Sequence, residues 1–181
     1  MLLDRLFRPR PAQAVGRALY AQVVEQARRP ALYQVMAAPD TVEGRFELYT
    51  LHVVLLLERL RAAGGPGPAE AAQALFDTYI KGLDDALREM GVGDLSVGKK
   101  MRRLGEAFYG RGKSYDEAFA ALPDRGPLIA LLARTVYEGA DPSGAAALAD
   151  YVAAQREAIA GAPVERLLAG EAPWATALAA P

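Results

Sequence analysis

The stretch from Phe76 to Lys113 places the strongest constraint on the fold of this chain. Its first half carries apolar residues at the three-and-four spacing of one helical face, with charged residues on the opposite face. These apolar residues are Phe76, Ile80, Leu83, Leu87 and Met90. Gly91 can adopt the left-handed conformation that ends a helix, and Asp94 is a suitable N-cap for the next one. The stretch therefore predicts an amphipathic helix hairpin.

The second helix of this hairpin combines an apolar stripe with a cationic arc. The stripe consists of Val97, Met101, Leu104 and Phe108. At 100° per residue, four basic residues project from the opposite arc, namely Lys99, Lys100, Arg102 and Arg103. We predict that the segment from Gly110 to Lys113 breaks this helix and that Ser114 caps a short following one.

The rest of the chain also has helical patterns. An apolar stripe runs from Val42 to Leu60, and between Leu48 and Leu57 the segment is apolar almost all round, which predicts a central buried helix. Another helix is predicted from Val15 to Arg29, and residues 62–68 are predicted to form a flexible connection. No alternation of apolar and polar residues predicts a strand. We expect an all-α fold, with a single compact multi-helix domain over residues 1–181. The basic lead, 1–12, and the tail, 171–181, are candidates for disorder.

Basic residues are concentrated in two segments, although the formal net charge is only −1. Residues 1–30 carry six Arg against Asp4 and Glu25, and residues 99–113 carry six Lys or Arg against Glu106, giving +4 and +5. The remainder therefore sums to −10. This distribution favours a localised surface for RNA or lipid headgroups, with an ordinary solvated face as the alternative.

Aromatic and aliphatic residues accompany both basic segments. Phe108, Tyr109 and Tyr115 lie on or beside the basic helix, a composition that RNA contacts use. The N-terminal lead mixes arginines with apolar residues and could contact an anionic membrane surface. Those apolar residues are Leu2, Leu3, Leu6 and Phe7.

Composition excludes several kinds of catalytic and metal site. The chain has no cysteine and one histidine, which rules out disulfides, thiolate catalysis and polyhistidine metal sites. We expect the histidine, His52, to be a hydrogen-bonded core residue, because no nucleophile or carboxylate stands at a recognisable spacing from it. No apolar run is long enough for a signal peptide or a membrane span, so we expect a cytoplasmic protein.

Two segments approach the phosphate-binding P-loop pattern without completing it. GDLSVGKK at Gly93 to Lys100 lacks the final Ser or Thr, and AFYGRGKS at Ala107 to Ser114 lacks the first glycine. Both are predicted to follow helix, whereas a P-loop follows a strand. We therefore expect no nucleotide binding.

Three acidic residues, Asp84, Asp85 and Glu89, have the composition of a general acid–base or carboxylate metal site. However, Asp84 stands four residues before Arg88, and Lys81 stands four before Asp85. Ion pairs along a helix surface are therefore the favoured interpretation.

The hairpin stretch resembles a known family. LDDALREMGVGDLSVGKKMRRLGEAFYGR, at Leu83 to Arg111, resembles the signature of the ubiquinol-cytochrome c chaperone family, the assembly factors of respiratory complex III. The likeness extends to FELYTLHVVLLLERLR at Phe46 to Arg61 and, more loosely, to LADYV at Leu148 to Val152. The matched positions include Asp85, Arg88, Glu89, Gly91, Asp94, Lys99, Lys100, Tyr109, Gly110 and Arg111.

The resemblance implies a non-enzymatic chaperone without cofactor or metal, which associates with newly made cytochrome b near the ribosome and promotes complex III assembly. Eukaryotic members carry a preceding targeting region and bind a small helical partner protein. We expect a bacterial form that acts in the cytoplasm at the inner membrane. The predicted partner-binding residues are Lys99, Lys100, Arg102, Arg103, Tyr109, Arg111 and Lys113.

Two other functions remain open from the residues alone. One is a helical RNA- or ribosome-binding module without chaperone activity. The other is a helical enzyme that uses Asp84 and Asp85.

Overall fold

Every regular element in the described part of the chain is a helix. The computed structural model describes residues 11–176. In chain order the elements are α1 (Pro11–Ala27), α2 (Pro30–Gln34), α3 (Val42–Ala63), α4 (Pro66–Glu89), α5 (Asp94–Ala120), α6 (Gly126–Thr135), a 3₁₀ turn (Pro142–Gly144), α7 (Ala145–Gly161) and α8 (Val164–Leu168). The all-α prediction is confirmed, and the helices share one hydrophobic core.

Helix α3 is the centre of this core. Thr41 caps its N-terminus, because the Thr41 side-chain oxygen accepts a hydrogen bond from the Gly44 amide at 3.0 Å. From Thr50 to Leu56 every side chain is buried, because α1, α4, α5, α7 and α8 all pack against this helix. The prediction of a central buried helix is confirmed. Val42, the first residue of the predicted stripe, is 55% exposed because it lies at the helix start.

A two-glycine turn joins α3 to α4. Gly64 and Gly65 have φ values of +67° and +83°, in the left-handed region that side-chain-bearing residues disfavour. Helix α4 begins directly afterwards at Pro66, a favoured first position for proline. The flexible connection predicted for residues 62–68 is therefore wrong, because most of those residues are helical.

A second glycine turn joins α4 to α5 and closes the predicted hairpin. Gly91 has φ +82°, and the Val92 amide donates to the Leu87 carbonyl at 3.0 Å. This is the expected left-handed helix end. The N-cap of α5 is Gly93, not Asp94 as predicted, and Asp94 is the first helical residue.

Helix α5 continues for 27 residues to Ala120. The predicted break between Gly110 and Lys113 is wrong, and Ser114 caps no new helix. Local glycine content favours a break, but side chains on both sides of it are buried in the core. These are Phe108, Tyr115, Ala118 and Phe119. Tertiary packing thus outweighs the cost of about 1 kcal/mol for each helical glycine.

The outer half of the hairpin stands apart from the main core. We call residues 84–107, which include the end of α4 and the start of α5, the hairpin arm; Ile80 and Leu83, just before it, still pack against the core. Val97 is the one buried residue of this arm, and neither Val97 nor Leu87, Met101 or Leu104 belongs to the core cluster. The arm is therefore held mainly by contacts between its own two helices.

The chain after α8 forms an ordered strap, although residues from 171 onward were candidates for disorder. Gln22 accepts a hydrogen bond from the Ala172 amide, and Gln155 accepts one from the Ala175 amide, each at 2.9 Å. The Trp174 ring stands edge-on to His52, with ring centroids 5.4 Å apart. The strap spans residues 171–176 and covers the core near His52.

At the N-terminus, residues 1–12 were the candidate for disorder, but Pro11 and Ala12 belong to α1. The predicted helix Val15 to Arg29 in fact covers Pro11–Ala27. Residues 1–10 and 177–181 lie outside the described residues. In the part of the chain that the structure describes, no helix has both the length and the apolarity to cross a bilayer.

Candidate partner-binding site

The cationic arc of α5 is exposed along its whole length. Lys99, Lys100, Arg102 and Arg103 are all exposed, with Lys99, Arg102 and Arg103 opposite the stripe that faces α4 and Lys100 at the edge of that stripe. Arg102 lies 3.7 Å from Glu106, and the other three form no ion pair within the described residues. Three of the four charges are therefore free to meet an anionic partner.

Arg111 has a different environment from these four residues. Its guanidinium contacts both carboxylate oxygens of Glu47 at 2.9–3.1 Å, which links α5 to the central helix. The Glu47 side chain is only 7% exposed, and its hydrogen bonds raise the pKa of Arg111. Because this charge is matched inside the protein, we do not include Arg111 in the partner-binding surface.

Tyr109 and Lys113 lie beside an open groove between α3, α4 and α5. Tyr109 is 69% exposed, and its ring centroid lies 6.0 Å from that of Phe76. The Lys113 ammonium is 3.9 Å from Glu117. The groove has a volume of about 560 Å³. Its apolar lining consists of Val54, Leu57, Ala69, Ala72, Phe76, Phe108 and Tyr109.

The rim of this groove is polar. Arg61 and Asp116 form an ion pair across one side at 3.2 Å, and Gln73 and Lys113 complete the edge. Both long segments that carry the family resemblance contribute to the lining, through Val54 and Leu57 in one and Phe108 and Tyr109 in the other. Nothing in the sequence could identify this groove, because it exists only where three helices meet.

Three acidic residues of the hairpin, Asp84, Asp85 and Asp94, are engaged in ion pairs. Arg88 contacts Asp84 at 2.6 Å and also Asp94, and Lys81 contacts Asp85 at 2.7 Å. The two pairs predicted from the spacing are confirmed. Arg88 therefore joins the end of α4 to the start of α5. Within residues 11–176, no group of three or more potential ligands could hold a metal ion.

The other positions that match the family motif either are exposed or set the conformation of the hairpin turn. Glu89 and Gly110 are both exposed, and a Cβ added at Gly110 would meet nothing within 4 Å. Gly91 supplies the left-handed turn. Gly91 thus sets the turn of the hairpin, and Glu89 and Gly110 lie on the protein surface. The structure brings none of the three into a catalytic cluster.

The two segments that approach the P-loop pattern both fall on α5. Ala107 to Ser114 is internal to the helix, where its amides are used by helical hydrogen bonds. Gly93 to Lys100 opens α5, but the element before it is α4 rather than a strand. The absence of nucleotide binding stays a prediction supported by this context.

His52 is buried in a hydrogen-bonded network. Its Nδ1 donates to the Leu48 carbonyl at 2.7 Å, so Nε2 accepts from the Tyr151 hydroxyl at 2.6 Å. Gln26 in turn donates to the Tyr151 oxygen at 2.9 Å. Burial lowers the pKa of His52 to about 4. The histidine is a neutral core residue, as predicted.

Comparisons with known proteins agree on the family. The model of the family described as ubiquinol-cytochrome C chaperone matches residues 34–174. A crystal structure of the Cbp3 homolog from Brucella abortus is similar over 97% of both chains, with 33% sequence identity and a TM-score of 0.83. No curated protein matches the chain. Because the family model covers most of the chain, the protein belongs to the ubiquinol-cytochrome c chaperone family.

Proposed function

We propose that this protein is a non-enzymatic assembly chaperone that binds newly made cytochrome b and promotes its incorporation into respiratory complex III. Membership of the ubiquinol-cytochrome c chaperone family supports this function. The chemistry of the described residues fits a binding role, because the candidate acid–base residues Asp84 and Asp85 are paired and His52 is buried. Newly made cytochrome b, met near the ribosome, is the proposed client.

The observation that carries this proposal is the apolar groove between α3, α4 and α5. A membrane protein that has not yet been assembled exposes apolar helical segments, and a binding partner must shield these segments from water. The groove offers aromatic and aliphatic walls that are open to solvent, and Tyr109 is its most exposed aromatic side chain. An apolar helix of cytochrome b is the occupant that we propose.

The polar rim fits such an occupant. Arg61, Asp116 and Lys113 can contact polar residues or backbone groups at the end of a bound segment, while the apolar floor covers its side. Hydrophobic grooves that accept one face of an amphipathic or apolar helix are a common mode of peptide recognition. The proposed contact requires no catalysis and no cofactor.

A co-purification experiment tests this function. The protein and its Tyr109→Asp variant would be purified from respiring cells, and the bound proteins and RNA identified. We expect cytochrome b with the parent and several-fold less with Tyr109→Asp, because a charge at the groove disfavours apolar contact. Val42→Asp is the matched control, since Val42 is 55% exposed and does not line the groove.

The alternative function is an RNA- or ribosome-binding module without chaperone activity. The exposed cationic arc of α5 is the observation that favours it. The same purification distinguishes the two functions. Ribosomal RNA without cytochrome b, and equal binding by the Tyr109→Asp variant, would contradict the chaperone proposal.

A further inference from the structure

The turn of the helix hairpin exposes aliphatic side chains. In the described residues, five large apolar side chains are exposed, and two of them, Met90 and Leu95, flank this turn. Met90 is 59% exposed, and Leu95 is as accessible as in an extended peptide, at 102%. Neither side chain packs against the core cluster. Singly exposed apolar side chains are common on protein surfaces, so the neighbouring residues decide whether these two can form an interaction site.

The charged side chains next to Leu95 on α5 are cationic. Helical geometry of about 100° per residue places Arg102 and Lys99 roughly 20° and 40° on either side of Leu95, with Arg103 roughly 80° away. Lys100 lies roughly 140° away, at the far edge of the cationic arc. Residues 95–105 contain four basic and no acidic side chains. Leu95 thus lies within the cationic arc rather than on the stripe that faces α4.

Nearby acidic groups do not cancel these cations. Asp84 and Asp94 pair with Arg88, and Asp85 pairs with Lys81. Glu106 reaches one cation of the arc, Arg102, at 3.7 Å. Glu89 remains as an exposed carboxylate on α4. The charge of the hairpin is therefore segregated, with basic side chains concentrated on α5.

We propose that this surface docks on an anionic lipid bilayer. We call it the tip surface, and it consists of Met90, Leu95, Lys99, Lys100, Arg102 and Arg103. Leu95 and Met90 enter the headgroup region, and the four cations contact lipid phosphates. Aliphatic insertion together with basic flanking residues is the pattern of interfacial membrane binding.

Two observations favour a bilayer over RNA as the partner of this surface. Recognition of single-stranded RNA relies on exposed aromatic rings that stack on bases. The exposed apolar side chains of the tip surface are aliphatic, and the exposed aromatic Tyr109 packs near Phe76 and Phe108 at the groove. The weak attachment of the hairpin arm to the core also leaves both sides of its turn accessible. This inference does not depend on the identity of the client.

The absence of cysteine from the chain permits a site-specific test. Leu95→Cys in the full chain would carry an environment-sensitive fluorophore, and Val42→Cys would carry the same dye as the matched control. Vesicles of phosphatidylcholine would be compared with vesicles that also contain phosphatidylglycerol. We expect the dye at position 95 to brighten several-fold with the anionic vesicles alone, and lipid-attached nitroxides to quench it. The dye at position 42 should not respond.

Vesicle co-sedimentation of unlabelled variants completes the test. Leu95→Gln with Met90→Gln should reduce binding roughly tenfold, because apolar insertion is lost without a change of charge. Replacement of the four cations by Gln should weaken binding at least as much and remove most of its salt dependence. All these side chains are exposed or lie opposite the apolar stripe, so helical content measured by circular dichroism should be unchanged.

Three results would overturn the proposal. The first is unchanged fluorescence of the dye at position 95 although the protein sediments with anionic vesicles. This result would assign membrane contact to another segment. The second is no sedimentation with anionic vesicles. The third is binding of RNA, but not of vesicles, that disappears when the four cations are replaced.

Discussion

At the residue scale, two buried polar side chains of α3, Glu47 and His52, are matched within the protein, whereas the lysines of α5 lie on the surface. Glu47 and Arg111 form a bidentate pair between α3 and α5, and His52 has both ring nitrogens hydrogen-bonded. Lys99 and Lys100 are exposed without an ion pair among the described residues. The spacing of Asp84 and Arg88 was sufficient to predict their ion pair, because i, i+4 contacts are local. The partner of Arg111 lies 64 residues away, so no local pattern could indicate it.

His52 should make stability depend on pH. Its pKa is about 4 in the folded protein and about 6.5 when unfolded, so the unfolded state binds the extra proton between these values. Stability should therefore fall as pH drops from about 6.5 towards 4, by on the order of 3 kcal/mol in total. Denaturant unfolding at several pH values measures this slope. His52→Gln should have a slope smaller by about one proton near pH 5, and equal slopes would contradict the assigned network.

At the scale of elements, the sequence was sufficient where local rules decide the structure. The amphipathic hairpin, its turn at Gly91 and the buried α3 all follow from periodicity and glycine chemistry. Distant contacts decide the structure in two other places. Helix α5 continues through Gly110 because its flanking residues are buried, and the strap of residues 171–176 is ordered by Gln22 and Gln155. A short apolar tail gives no local signal of such contacts.

Two glycine-to-alanine substitutions should distinguish the effect of helix propensity on stability from the effect of tertiary packing. Gly110→Ala should stabilise the protein by about 0.5–1 kcal/mol, because the residue is helical and its new Cβ would meet nothing within 4 Å. Gly16→Ala should destabilise it by about 1–3 kcal/mol, because the Cβ would lie 2.5 Å from the Ala74 backbone. Thermal unfolding compares the two variants. Shifts of the same sign would contradict the continuous α5 or the close packing of α1 on α4.

At the scale of the whole molecule, helices α3, α4 and α5 enclose an apolar groove, and the hairpin arm carries a cationic tip surface beyond it. Family membership could be inferred from the sequence, because the motif in Leu83 to Arg111 is long. The groove could not be inferred, since its walls come from helices whose packing only the fold defines. We propose that the groove binds the client and that the tip surface contacts the membrane.

The central claim is that newly made cytochrome b occupies the groove. Photo-crosslinking tests it most directly, with a photoreactive amino acid introduced at Tyr109 in the groove or at Val42 outside it, in cells that synthesise labelled cytochrome b. We expect a crosslink to cytochrome b from position 109 and none from position 42. Crosslinks of equal yield from both positions, or none from position 109 while cytochrome b co-purifies with the protein, would contradict the claim.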